Sequence, residues 1–236
     1  MPSLILNVIN LSKDYGHNPI FSHVSLQIFE GEIVGLYGQS GSGKSTLGRC
    51  ITRLEEPSSG KVFFQGQNFN KLGKWALRRT RTQMQMIFQH PETSLNPRMR
   101  VIDSLTEPVR IARKCTSNEA LEILEPIIHE VGIRQDQLLR YPHQLSGGEI
   151  QRAVIAKIFS LNPALIIADE ATSMLDVSVQ AQVIHLMKKL QEETKVAYLM
   201  ISHDLELLNL VCTRILKMQD GTIEEVKKTI SSSYTV

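Results

Sequence analysis

Gly38-Gln39-Ser40-Gly41-Ser42-Gly43-Lys44-Ser45 is the stretch that decides how this chain folds. It fits GxxxxGK[ST] in full, and it stands between a short apolar run, Ile33 to Tyr37, and a segment of helical spacing, Ser45 to Leu54. Strand, glycine-rich turn and helix in that order are what phosphate binding requires. Glycines let the backbone turn tightly and aim successive N–H groups inward, and the following helix adds its positive end. Lys44 then supplies a point charge to the outer phosphates, and Ser45, followed by Thr46, offers a hydroxyl to Mg²⁺. ATP and Mg²⁺ are the expected ligands. A serine/glycine turn that merely matches the pattern would not carry the flanking strand and helix.

Working outward, Leu4 to Leu11, Val24 to Phe29, Val62 to Phe64 and Met84 to Phe88 read as strands, with Pro57-Ser58-Ser59-Gly60 ending the first helix. From His90 to Ser160 the patterns are mostly helical, and Pro108 and Pro126 are expected to break or kink them. Ser117 is read as a helix cap, Ala120 to Val131 as the body and Gly132 as the stop. Ala164 to Ala168 and Val196 to Ile201 return as apolar runs on either side of a long helical pattern, Val177 to Glu193, which is βαβ alternation. Ile215 to Met218 and Thr222 to Val226 suggest a closing hairpin, and Ser231 to Val236 a frayed end. The expected class is α/β, a P-loop NTPase with a mostly parallel core sheet, an N-terminal antiparallel β subdomain and a helical subdomain. One domain spans 1–236, with the helical part at about 90–160.

Composition narrows the classes. A chain of 236 residues suits one α/β domain, and a net charge of +2 with 21% charged residues argues against a charge-driven nucleic-acid binder. Cys50, Cys115 and Cys212 lie far apart and show no metal-ligand spacing. The first ten residues lack the marks of a signal peptide, and no stretch approaches the roughly 20 apolar residues of a membrane span. If the protein serves a membrane, it is expected to dock on another chain.

Two carboxylates, Asp169 and Glu170, follow the run Ala164 to Ala168, which places them at the C-terminal edge of a parallel sheet, where α/β proteins gather ligands. Asp169 suits Mg²⁺, and Glu170 is placed to polarise the water that attacks the γ-phosphorus. His203 follows the run that ends at Ile201; alone it would be read as a structural hydrogen-bonder, but beside the other motifs it is expected to reach the same edge, contact the γ-phosphate and join Glu170 as a catalytic residue. A second glycine pair before a helix, Leu145-Ser146-Gly147-Gly148-Glu149, makes another place for backbone N–H groups to receive phosphate. A head-to-tail pair of subunits would let each nucleotide use the first cradle of one chain and the second of its partner.

With Gln151 and Arg152 behind it, this set resembles the ATP-binding cassette family from about Leu6 to Val226. By that resemblance Gly38 to Thr46 is the Walker A loop, Ile166 to Glu170 the Walker B strand, Ser173 to Asp176 the D-loop and His203 the switch histidine. Gln89 is the Q-loop glutamine, a ligand of nucleotide and metal that couples the site to the membrane partner. Tyr15 matches the aromatic residue that stacks on adenine, and Asp176 joins the nucleotide site. Glu149 stands where the family often has glutamine, adding negative charge near nucleotide, and Met174 replaces the more usual alanine.

The stretch Phe88 to Arg98, with Tyr141-Pro142-His143-Gln144 later, is similar to the subfamily that energises uptake of oligopeptides, dipeptides and nickel. That implies two membrane permeases, a second ATP-binding subunit (a paralogue or another copy), an extracytoplasmic binding protein acting indirectly, and a peripheral position at the cytoplasmic membrane face, with no nucleic acid. Peptides, nickel and metal–metallophore complexes remain open as cargo. Two rivals stand: an accessory ATPase of a soluble complex such as phosphonate degradation, and a small-molecule kinase, for which the stretch Leu145 to Arg152 has no use. Arg78, Arg79 and Arg81 read as a solvated helix face, and Met84 and Met86 as packing residues.

Overall fold

The computed structural model describes residues 2–226. The chain begins with strands β1 (Leu4–Tyr15), β2 (Asn18–Phe29) and β3 (Ile33–Tyr37), then helix α1 (Lys44–Ile51), strands β4 (Ser59–Phe64) and β5 (Gln67–Asn68), helix α2 (Lys74–Arg81) and strand β6 (Met84–Ile87). Only helices follow until the next strand: α3 (Val101–Arg113), α4 (Ser117–Glu130), α5 (Gln135–Leu138) and α6 (Gly147–Phe159). The sheet resumes with β7 (Leu165–Asp169), α7 (Val177–Thr194), β8 (Ala197–Ser202), α8 (Leu205–Val211), β9 (Arg214–Gln219) and β10 (Thr222–Val226).

Two sheets result. An antiparallel one has the order β2-β1-β4-β5, and a mostly parallel one the order β10-β9-β3-β8-β7-β6, with β10 alone running antiparallel to its neighbour. Strands β7 and β8 are buried along their whole length, which is why they read as unbroken apolar runs. Their side chains alternate between two cores. Leu165, Ile167, Leu199 and Ile201 join α1 and the antiparallel sheet, whereas Ile166, Ala168, Tyr198 and Met200 face the helices. Gly48 lets α1 sit close on this sheet, since a Cβ there would lie 3.2 Å from both Ile167 and Ile201.

The parallel sheet, the closing hairpin and the helical run between β6 and β7 are as the sequence predicts, and β3 and β10 match residue for residue. Several boundaries move. β1 and β2 are longer than expected because their polar ends pair across a tight turn, Tyr15 opposite Asn18, with Gly16 at φ 67°. Neither Pro108 nor Pro126 breaks its helix: α3 runs on to Arg113 with Val109 buried, and α4 to Glu130 with Ile128 buried. Arg81 is no solvated cation, for it donates to the Arg53 carbonyl at 2.8 Å, while Arg78 and Arg79 are exposed. The frayed end expected at Ser231 to Val236 lies outside the described residues.

The cap of α4 is Thr116, not Ser117. Its hydroxyl accepts from the Glu119 N–H, and Glu119 Oε2 accepts from the Thr116 N–H at 2.7 Å, closing a reciprocal box. Thr116→Ala is expected to cost about 1 kcal/mol, read as a lower urea midpoint at unchanged slope.

Candidate functional site

Strand β3 delivers the chain into a loop whose glycines are needed for different reasons. Gly41 and Gly43 take φ of 80° and 98°, where a side chain is strained. Gly38 is needed for space: a Cβ there would lie 2.4 Å from the Met218 carbonyl oxygen. The loop borders an open cleft of about 840 Å³ whose lining includes Gly38 to Ser42, Ile20 and the β9–β10 hairpin. Lys44, 5% exposed, lies across the loop and donates to the carbonyls of Gly38 and Gln39 at 2.8 and 2.7 Å. Burial holds its pKa below the ordinary lysine value, and Glu170 and Asp169 oppose that shift.

Asp169 ends β7 and is 4% exposed. Ser45 donates to its Oδ1 at 2.8 Å. Burial raises the Asp169 pKa, more than the Ser45 hydrogen bond and the Arg49 charge lower it. Immediately after it the backbone of Glu170 turns left-handed, φ 48°, anchored by its N–H to the Ile201 carbonyl at 3.0 Å. That turn swings the Glu170 carboxylate over the sheet edge. Gln89 Nε2 donates to one oxygen at 3.1 Å, and His203 Nδ1 lies 3.1 Å from the other. Residues read from three separate strand ends therefore meet at one carboxylate.

Ser146 caps α6, and its Oγ accepts from the Glu149 N–H at 3.4 Å. Glu149 does not extend into open solution: Oε2 accepts from the Ser146 N–H at 2.8 Å, and Oε1 accepts from Gln137 Nε2. Its charge serves the helix start, and the Ser146 backbone hydrogen bond holds its pKa below the ordinary carboxylate value. Gln137, 3% exposed, had no signal in the sequence because its partner lies on another helix.

A carboxylate pKa depressed by folding contributes stability that is present above its unfolded value and is lost as pH falls through its folded value. Glu149→Ala is therefore expected to cost about 1 kcal/mol near neutral pH. The difference from wild type should shrink as pH falls below the ordinary glutamate value of about 4.3, checked by urea melts across pH.

Not every expected residue joins the cluster. Gly147 and Gly148 face α7 and its approach: Cβ atoms there would meet Leu175 at 3.4 Å and Val179 at 2.6 Å. Among the described residues no hydrogen bond joins 145–149 to 38–46, and 145–149 do not line the cleft beside the loop. Asp176 caps α7, its Oδ1 accepting from the Val179 N–H at 3.0 Å and the Ser178 hydroxyl at 2.8 Å. Tyr15 is 53% exposed; its hydroxyl bonds Glu55, and Lys13 Nζ sits 4.8 Å from its ring centre. It does not line the cleft beside the loop.

The chain is similar in sequence and fold to known proteins. A relative in Brucella ovis is 41% identical over 94% of this chain and 71% of its own length. The oligopeptide transport ATP-binding protein OppF of Streptococcus mutans is 44% identical, covering 86% of this chain and 67% of the relative. Among solved structures, a bacterial ABC transporter cassette in dimeric form superposes with a TM-score of 0.84 at 28% identity, over 95% of this chain and 99% of the other. A post-hydrolysis form of the same cassette, bound to ADP and Pi, gives a TM-score of 0.81 at 28% identity, with the same coverage. The family model described as ABC transporter matches residues 21–173, a span that takes in the phosphate loop, Gln89, the second glycine pair and Glu170. Since the loop geometry, the carboxylate pair and the sheet that carries them agree with that match, this chain belongs to the ABC transporter family as an ATP-binding, ATP-hydrolysing cassette.

Proposed function

We propose that this cassette energises import of peptides through a membrane permease pair, with Glu170 as the group that activates water. The observation that carries the catalytic part is the Glu170 carboxylate held between Gln89 and His203 beside the Ser45–Asp169 pair. Water placed against Glu170 would give up its proton to that carboxylate, while Gln89 and His203 fix the carboxylate's direction. Phosphoryl transfer passes through a loose transition state, so positioning and neutralisation of charge count most, and Lys44 with the loop N–H groups supplies both.

Mg²⁺ fits the residues present. Asp169 is a buried carboxylate whose charge burial disfavours, and a cation at its free oxygen would relieve that penalty. Ser45 adds a hard hydroxyl 2.8 Å away. Among the described residues no cluster of three or more His, Cys, Asp or Glu gathers, which suits an ion that takes few protein ligands and completes its shell with phosphate and water. When bound, it would neutralise charge on the outer phosphates; Ser45, Asp169 and Gln89 are the residues assigned to it.

Gly38 to Thr46 form the phosphate-binding set, with Ser146, Gly147 and Gly148 assigned to the nucleotide of a second cassette. The separation of those two cradles within one chain supports a paired arrangement. Tyr15 is assigned to adenine and Asp176 to the nucleotide site. Peptide as cargo rests on the names of the relatives, OppF of S. mutans and AppF of Bacillus subtilis, both oligopeptide transport ATP-binding proteins. Among the described residues no helix is long and apolar enough to cross a membrane, in keeping with a peripheral seat on permeases.

The test is copurification from membranes, followed by uptake of labelled oligopeptide into vesicles holding the recovered assembly. ATP-dependent peptide uptake with permeases in the assembly is the expected result. Recovery with soluble partners alone would replace transport by the accessory-ATPase reading.

A further inference from the structure

The second half of α6 is buried at 153–156 and again at 158 and 159, and the half-buried Lys157 interrupts that run. Among the described residues its ammonium forms no ion pair and makes one hydrogen bond, donated to the Ser94 carbonyl at 2.8 Å. Burial holds its pKa below the ordinary lysine value, and Glu107 opposes that shift. An ammonium has three donors, and one engaged donor does not offset the loss of water. An apolar side chain of similar length would serve packing as well, so stability does not account for the lysine.

Its partner does. Ser94 closes a short turn, Pro91–Ser94, that follows Gln89. The turn is held together internally, the Thr93 N–H and hydroxyl both donating to the His90 carbonyl at 3.1 and 2.7 Å. Pro91 and Leu95 are buried, but apolar packing sets no direction. Among the described residues, hydrogen bonds leave 89–94 for the rest of the chain at two places: Gln89 Nε2 to Glu170 at 3.1 Å, and Lys157 to the Ser94 carbonyl. The Ser94 hydroxyl is buried and forms none. The amide that orients Glu170 is therefore carried on a turn whose far end is pinned by a single ammonium.

We propose that Lys157 is a positioning residue for ATP hydrolysis: its bond to the Ser94 carbonyl fixes the turn on α6, so that Gln89 stays on Glu170 and the carboxylate keeps its direction. Lys157 touches neither nucleotide nor water and acts through Gln89. The proposal rests on Glu170 as the group that activates water.

The test compares ATP turnover and equilibrium ATP binding of the full-length chain in its copurified assembly, for wild type, Lys157→Met, Lys157→Arg, Gln89→Ala and Gln89→Ala/Lys157→Met. Lys157→Met is expected to lower kcat about tenfold, within the range that coupled neighbours show, with KM for ATP unchanged. Lys157→Arg, which keeps a charged donor, should retain most of the rate. The urea midpoint of Lys157→Met should not fall, since a buried charge is removed. In the Gln89→Ala background Lys157→Met should cost nothing further, because the group it positions is gone. Wild-type turnover in Lys157→Met, a loss of equal size with and without Gln89, or a loss that only mirrors a lower urea midpoint would overturn the proposal. Glu170→Gln in the same assay separates this proposal from the reading beneath it. Intact turnover there would remove Glu170 from the chemistry and this proposal with it, whereas loss there with Lys157→Met unaffected would overturn this proposal alone.

Discussion

Glu170→Gln is expected to lower Mg²⁺-dependent phosphate release by roughly 10²–10⁴ while leaving ATP affinity nearly unchanged. The substitution keeps shape and removes the proton acceptor. An amide can still meet Gln89 and His203, which lie 3.1 Å from the two carboxylate oxygens, so the local structure should hold. Lys44, Ser45 and the loop N–H groups, which would carry most of the ground-state binding, are untouched. The measurement is single-turnover phosphate release beside equilibrium nucleotide binding, for wild type and variant, with and without the copurified partners. Loss of turnover with retained binding separates chemistry from affinity. Intact turnover would remove Glu170 from the mechanism and leave the cluster as a structural tie.

The largest effect on folding should come from a residue remote from nucleotide. Gly60, the second residue of β4, has φ 93°, and a Cβ there would stand 2.4 Å from the Asn10 carbonyl oxygen and 2.5 Å from the Leu11 Cα. Both neighbours are backbone atoms of β1, the strand at the centre of the antiparallel sheet, so no side chain can swing aside. Strain at a left-handed non-glycine position costs about 1–3 kcal/mol, and overpacking about as much again. Gly60→Ala is expected to destabilise the protein by roughly 3 kcal/mol or more, seen as a large fall in the urea midpoint. Gly66→Ala is the control, since its φ is also positive, 76°, but nothing lies within 4 Å of its Cβ. A small effect at Gly60 equal to that at Gly66 would mean that β1 and β4 separate easily.

What the sequence discloses depends on whether burial leaves a pattern. β3, β7 and β8 are buried on both faces and bounded by turn residues, so their apolar runs carry their ends. Gln89, Glu170 and His203 are legible as a group only because each follows such a run. α2 buries nothing, so it has no apolar period to read, and of its arginines Arg81 donates to the Arg53 carbonyl while Arg78 and Arg79 stay exposed. α8 has seven residues with one buried leucine, too short for a period. Thr116 was legible: Thr-x-x-Glu precedes the apolar run, while Ser117 has Ala120 three places on. The fate of Glu149 was not, because the oxygen of Gln137's partner is chosen by the packing of α5 beside α6, which no local spacing encodes.

The left-handed backbone at Glu170 sets this position against the rest of the fold. A non-glycine residue there costs roughly 1–2 kcal/mol that glycine would not incur, against the roughly 0.5–1 kcal/mol that glycine loses in chain entropy. A laboratory evolution campaign scoring heat resistance alone would therefore have an incentive to discard the side chain assigned to activate water, and would enrich cassettes that survive longer and do nothing. Any thermostabilised version of this protein intended for use should be screened with position 170 fixed.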